Sequence, residues 1–230
     1  MPSSLLHVGV DEAGRGAVVG PLVMSAVCLN DEMKKNLQKE GVKDSKKLSR
    51  KKRESLRNLI ISTSSKVEIV VRTAQQLNEN MNTQTLNQIE IGCLEELLKR
   101  FSSLSTPLHV VVDQFDVREY LIRASIQKVI PSISISDITI AFHADESYIE
   151  CAAASIVAKT ERDCILDKIA RDLNHSPFSG YPSDPKTIQF LQHHSSEIIV
   201  GNWPYVRYHW ETIKRIMKKK QTEKSLRDFL

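Results

Sequence analysis

No stretch of this 230-residue chain is long and apolar enough to read as a membrane span: the longest candidate, Val18 to Leu29, is broken by Gly20 and Pro21 and falls short of the roughly 20 residues a spanning helix needs. The N-terminus also lacks a charged-then-apolar leader pattern, so the sequence predicts a cytoplasmic protein with no membrane partner. Cysteine is sparse. Cys28, Cys93, Cys151 and Cys164 are too far apart for a CxxC metal knuckle or a disulfide framework, which points to a reducing compartment and to cysteines acting as small buried apolar residues. A strong excess of one charge is missing too, since 32 Lys and Arg against 28 Asp and Glu leave a net charge of only +4.

What is present argues for one compact folded domain. Apolar residues make up 41% of the chain and charged residues 26%, ordinary proportions for a globular protein that exclude disorder as the main state. The cations are unevenly spread. Lys43, Lys46, Lys47, Arg50, Lys51, Lys52 and Arg53 stand against the single acid Asp44, and a second basic cluster runs from Lys214 to Lys220. Polyanion binding depends on such local density rather than on the total, although either cluster is equally readable as a solvated surface.

Residues 5–11 and 18–29 are rich in β-branched side chains around a glycine-rich turn, and the economical reading is a hairpin. Ser49 predicts a cap for a helix over 50–62, followed by a strand at 67–73 and a helix from Thr85 to Phe101. A strand from His109 to Val112 ends on Asp113; a helix over 117–129 and a strand near 137–142 come next. Ser147 and Glu150 have capping-box spacing, which predicts a long helix from there to about Leu173. Its small residues Ala152, Ala153, Ala154 and Ser155 would permit close approach to a sheet. A turn-rich loop, His175 to Pro185, precedes helices near 186–194 and 208–220. Antiparallel strands first, then strands alternating with helices, predict an α/β layered domain with a mixed sheet and a helical C-terminal part. Residues 1–220 read as that single domain and 221–230 as an exposed tail.

Acids at strand ends carry the chemical signal. Asp11 ends the first strand, Asp113 ends a later one, and Asp145 precedes a helix. Hard divalent ions such as Mg²⁺ or Mn²⁺ take oxygen ligands, usually a few carboxylates together with substrate phosphate. Glu12 complicates the pattern, because consecutive strand residues point to opposite faces; Asp11 and Glu12 share a site only if the strand breaks there, and Gly14 and Gly16 supply the freedom for a break. Each acid alone is also readable as a solvated strand end, and Asp145 as a residue favouring a helix N-terminus.

The run Asp11 to Gly16, DEAGRG, followed by VVGP, resembles the ribonuclease HII signature. Further matches are KDSKKLS (Lys43 to Ser49), VVDQFD (Val111 to Asp116), HADESYIECAAASIVAKTERD (His143 to Asp163), SGYPSDPKT (Ser179 to Thr187) and VRYHW (Val206 to Trp210). The resemblance spans about residues 5–215 and is nearer the archaeal branch than the bacterial one. It implies an RNase H-like mixed β-sheet flanked by helices, in which Asp11, Glu12, Asp113 and Asp145 bind Mg²⁺ or Mn²⁺ and carry catalysis. The implied reaction is hydrolysis on the 5′ side of ribonucleotides in RNA/DNA hybrids and in duplex DNA, leaving 3′-hydroxyl and 5′-phosphate ends. Replication and ribonucleotide excision repair are the corresponding processes, and a monomer is expected. The related ribonuclease HIII typically carries an added N-terminal domain, whereas ten residues precede Asp11 here.

The same resemblance gives Gly14, Arg15 and Gly16 the sensing of the ribose 2′-hydroxyl, the group that locally distinguishes RNA from DNA; Arg15 is also readable as a plain phosphate clamp. Tyr181 matches the tyrosine that stacks on the sugar after the ribonucleotide, with a loop anchor as its competing role. Ser45, Lys46 and Lys47 match a phosphate-contacting loop. His143 either bridges a water or packs. Ala17 stands where many relatives have proline, which loosens the turn without removing a functional group. Finally, the spacing of Leu226, Phe229 and Leu230 resembles a sliding-clamp peptide, from which Glu223 and Leu230 depart; a frayed helix end is the alternative.

Overall fold

The computed structural model describes residues 5–43, 48–104 and 106–218. They pack as two compact units. The described residues of Met1–Ala13, Val23–Val71 and Asn87–Glu161 form the first, and those of Gly14–Leu22, Arg72–Leu86 and Arg162–Leu230 the second.

The first unit is built on a five-stranded sheet whose strands are β1 (Leu6–Ala13), β2 (Leu22–Leu29), β3 (Lys66–Arg72), β4 (Leu108–Asp113) and β5 (Ile138–Ala141). Their order is β3-β2-β1-β4-β5. β1 runs antiparallel to β2, from His7 opposite Leu29 to Ala13 opposite Val23, and parallel to β4, which is parallel in turn to β5. The sheet is therefore mixed, as the sequence predicts. The predicted strand over 18–29 begins only at Leu22, because Val18 and Val19 belong to the second unit: both N–H groups donate to the Gly180 carbonyl, and Val19 bridges Val206.

Helices α1 (Asp31–Lys39), α2 (Arg50–Thr63), α3 (Ala74–Asn80), α4 (Leu86–Lys99), α5 (Glu119–Val129), α6 (Ala144–Ser147), α7 (Ile149–Asp172), α8 (Pro185–His193) and α9 (Ser195–Val200) complete the described elements with a short 3-10 helix at Ile135–Asp137 and a helix over 211–218. None is long and apolar enough to cross a membrane. Ser49 caps α2 as expected, its hydroxyl accepting from the Lys52 N–H. The predicted capping box at Ser147 and Glu150 does not form. Ser147 is itself helical, and Glu150 is fully buried with its carboxylate 3.1 Å from the Lys34 ammonium. A capping box closes instead at Thr73 and Gln76, on α3, which the sequence reading leaves out.

Helix α7 crosses from the first unit into the second. Its buried small residues Ala152, Ala153 and Ala154 pack with Val27 and Leu29 of β2 and Leu56 and Ile60 of α2, and the Ser25 hydroxyl donates to the Ala154 carbonyl at 2.7 Å. Gly9 makes the approach possible, since a Cβ there would collide with the backbone of Glu150 and Cys151. In the second unit, Val18, Val19, Leu166, Phe178, Phe190, Leu191, Ile198 and Val206 form the core. Cys28, Cys93 and Cys151 are buried free thiols, but Cys164 is exposed, contrary to expectation.

Candidate active site

Register sets the first feature of the site. Val10 pairs with Val112 in the parallel β1–β4 ladder, so the next residues, Asp11 and Asp113, stand side by side; Asp113 ends β4 as expected, but β1 runs on past Asp11 to Ala13 because Glu12 and Ala13 still pair with β2. Odd-numbered residues of β1 face α7: Gly9 meets Glu150 and Cys151, Asp11 meets Ser155, and Ala13 packs with Ala158. Asp11 is only 5% exposed. Burial, and then the negative charge of Asp113, push its carboxyl from the usual 3.8 up to about 7, against the lowering effects of Ser155, Lys159 and the Glu12 N–H. A carboxylate held in this way gains most from a nearby cation.

Asp145 arrives by a tight turn. Asp113 Oδ1 accepts from the Ala144 N–H at 2.9 Å, and His143 takes a left-handed conformation (φ 56°) at the head of α6. That conformation is uncommon for a residue with a side chain. Asp145 is 2% exposed, and its Oδ2 lies 3.9 Å from the Lys159 ammonium, which also donates to Ser155 Oγ at 2.8 Å. Lys159 thus links the surroundings of Asp11 and Asp145. Ligand atoms of His143, Asp145 and Glu146 lie within 4.8 Å of one another. Oxygen donors dominate the set and the acids outnumber the lysine, a combination that fits a hard divalent cation.

Glu12 is placed differently from Asp11. The strand break proposed between them is absent: the ladder continues through Glu12 opposite Met24 and Ala13 opposite Val23, and the turn starts at Gly14 with φ 90°. By alternation Glu12 shares the face of Val8 and Val10.

The glycine-rich turn lies in the second unit. The Gly14 N–H donates to the Tyr181 hydroxyl at 3.1 Å, the Ala17 N–H returns to the Gly14 carbonyl at 3.3 Å, and the Arg15 carbonyl accepts from Arg207 Nη1 at 3.1 Å. Beneath Tyr181 sits the Arg162 guanidinium, 4.8 Å from the ring centre. It donates to the carbonyls of Pro21, Ser179 and Val19, and burial draws its pKa below the usual arginine value. The loop carrying Tyr181 is tied down by Asp184, whose carboxylate accepts from Ser179, Lys186 and Thr187. Partial burial opposes ionisation there, and these hydrogen bonds still hold its pKa below the usual value.

Ser45, Lys46 and Lys47, together with Leu226, Phe229 and Leu230, lie outside the described residues. Sequence reasoning assigns no part in the site to Ser155, which it reads only as a small packing residue, or to Lys159, Arg162 or Glu146. The available signal for the first three is their spacing of four and then three residues, which stacks them on one helix face.

Comparison with known proteins places these features in a family context. The family model for ribonuclease HII matches residues 8–213, a span that runs through both units. The chain is 37% identical over 233 residues to the ribonuclease HII of Methanocaldococcus jannaschii, covering 95% of this chain and 98% of that protein. Among solved structures, the ribonuclease H2 of Pyrococcus horikoshii superposes with a TM-score of 0.78 at 30% identity, over 93% of this chain and 98% of that one. A chain from the PCNA:RNase HII complex of Archaeoglobus fulgidus gives 0.77 at 32% identity, over 90% and 95%.

Proposed function

The chain belongs to the ribonuclease HII family and is a metal-dependent type 2 ribonuclease H; from that premise we propose that it hydrolyses the phosphodiester on the 5′ side of ribonucleotides embedded in duplex DNA and in RNA/DNA hybrids, leaving 3′-hydroxyl and 5′-phosphate ends. The observation that carries this reading is the pairing of Asp11 with Asp113: burial, and then the neighbouring negative charge, push the Asp11 carboxyl up to about 7. Such a pair is costly unless a cation is shared between them.

Asp11, Asp113 and Asp145 would hold Mg²⁺ or Mn²⁺, with Glu12, still paired within β1 and on its other face, carried over from the family motif alone. Two such ions, when bound, stabilise both the attacking water and the leaving oxygen of an in-line displacement. The protein's own contribution is positional. The β1–β4 register fixes Asp11 against Asp113, the left-handed turn at His143 delivers Asp145, and Lys159 offsets part of the negative charge. Gly14, Arg15 and Gly16 would recognise the 2′-hydroxyl through backbone atoms at a turn without bulk, and Tyr181 would stack on the following sugar. Ser45, Lys46 and Lys47 are assigned to phosphate contacts, and residues 1–220 to one catalytic domain acting as a cytoplasmic monomer in replication and repair. The partner named with the Archaeoglobus fulgidus protein is PCNA, which supports assigning Leu226, Phe229 and Leu230 to a sliding clamp.

The deciding experiment is to map the cut on a duplex containing one ribonucleotide, with Mg²⁺ or Mn²⁺ and with a chelator. Metal-dependent cleavage immediately 5′ of the ribonucleotide is expected; a cut elsewhere, or none, overturns the reading.

A further inference from the structure

At the other end of β1 from Asp11 lies a second set of ligand-bearing side chains. His7 and His109 are partners in the β1–β4 register, and their Nδ1 atoms approach to 3.4 Å. Glu150, fully buried in the first turn of α7, places Oε1 3.8 Å from His7 Nδ1. All three residues bring a ligand atom within 4.8 Å of the others. We propose that His7, His109 and Glu150 form a binding site for a zinc-class transition-metal ion, separate from the carboxylate site and structural in role.

Three observations support this. The first is distance: with metal–nitrogen bonds of about 2.0–2.1 Å, two ligands on one edge of a tetrahedron stand roughly 3.3–3.4 Å apart, matching the separation of the two imidazole nitrogens. The second is orientation. His109 Nε2 is 2.9 Å from the Thr139 hydroxyl, whereas His7 Nε2 comes within 3.2 Å of Asp31 Oδ1 but makes no hydrogen bond among the described residues. In the tautomer in which His109 Nε2 donates to Thr139, the His109 Nδ1 lone pair faces inward, the arrangement found around metal-bound histidines. A second lone pair on His7 Nδ1 would repel it unless a proton or a cation lay between them. The third is Glu150 Oε2, which is buried and makes no hydrogen bond among the described residues. An acceptor left in that state is costly, and a metal ion would satisfy it.

Lys34, 3.1 Å from Glu150 Oε1, supplies the countercharge when no ion is present; its side chain, 24% exposed, has a path to solvent. Nitrogen donors distinguish this site chemically from the other. Imidazole favours zinc-class ions, whereas Mg²⁺ and Mn²⁺ prefer carboxylate and water. His7 and Asp11 are four residues apart on one strand face, or about 13 Å at roughly 3.3 Å per residue, so the two sites are independent. An ion here would pin the start of α7 to β1 and β4.

The test titrates Co²⁺, then Zn²⁺, into the full chain with Mg²⁺ in saturating excess to occupy the carboxylate site. Expected are one equivalent bound in the micromolar range or tighter, an intense visible Co²⁺ spectrum of low coordination number, and a higher Tm with Zn²⁺. His109→Ala should abolish all three while leaving Mg²⁺-supported cleavage intact, and Thr139→Val should weaken binding by about tenfold. If His109→Ala does not fold, His7→Gln serves as the second variant. No Co²⁺ spectrum in the parent protein, or the same spectrum and Tm shift in the folded variants, overturns the proposal. Neither outcome bears on where the enzyme cuts, so this site and the nuclease reading fail separately.

Discussion

The hydroxyl of Tyr181 accepts a hydrogen bond from the backbone N–H of Gly14 at 3.1 Å, so the tyrosine and the glycine-rich turn are held as one element. Arg162 stabilises both, stacking under the Tyr181 ring while its Nε donates to the Pro21 carbonyl. Tyr181→Ala should therefore reduce cleavage at a single ribonucleotide by roughly tenfold or more, the scale of a lost stacking contact, and reduce cleavage of a long hybrid less. Tyr181→Phe keeps the ring and loses only the link to Gly14. Equal losses on both substrates with Tyr181→Ala would remove the junction role.

Gly14 itself admits no side chain. Its φ is 90°, and a Cβ would strike the Arg162 side chain and the Pro21 carbonyl. Gly14→Ala should cost about 1–3 kcal/mol and lower kcat/KM through the displaced turn, read from thermal melts and steady-state cleavage. Wild-type Tm and kcat/KM would show that the turn accommodates the methyl group.

The sheet is legible in the sequence because β-branched runs leading to Asp11 and Asp113 carry a strand pattern, and the end of β4 at Asp113 with it; the end of β1 is not, since pairing with β2 carries that strand past Asp11 to Ala13. Short helices are not legible either. α1 buries only Leu37, and α3 only Ala74 and Leu77, too few residues for a helical period to emerge. The spacing of Glu150 from Ser147 fits a cap equally well, and only tertiary packing draws Glu150 to Lys34. The pairing of His7 with His109 depends on the register of strands 102 residues apart, which no local pattern encodes.

Asp113→Asn should abolish turnover almost completely while leaving substrate binding measurable, because the proposed metal ligand would be lost and the nucleic-acid surface kept. Binding is read by fluorescence anisotropy on a duplex with one ribonucleotide. Near-normal turnover would remove Asp113 from the site.

Deleting residues 223–230 should abolish clamp binding and leave cleavage of short duplexes intact, since Leu226, Phe229 and Leu230 are assigned to one apolar pocket of the clamp. Calorimetry with the clamp and a cleavage assay on the same preparation separate the two effects. Unchanged clamp affinity would reject the tail as the contact.

Asp11 also makes the metal-free protein's stability depend on pH. Its carboxyl is raised from 3.8 to about 7 in the folded state, so the native chain holds this proton more tightly than the unfolded chain does. The associated stability is fully present below about 4, declines as pH rises, and is lost once pH passes about 7. Asp11→Asn cannot ionise and escapes that loss. In chelator, the variant should therefore gain stability relative to the parent on going from pH 4 to pH 8, by on the order of 2–4 kcal/mol, measured by urea unfolding at each pH. Saturating Mg²⁺ or Mn²⁺ should reverse the ranking at pH 8, because only the parent keeps the carboxylate that the ion stabilises. A difference between the two proteins that stays the same across this range, with and without metal, would mean that Asp11 is neither held protonated near neutrality nor placed to meet the ion.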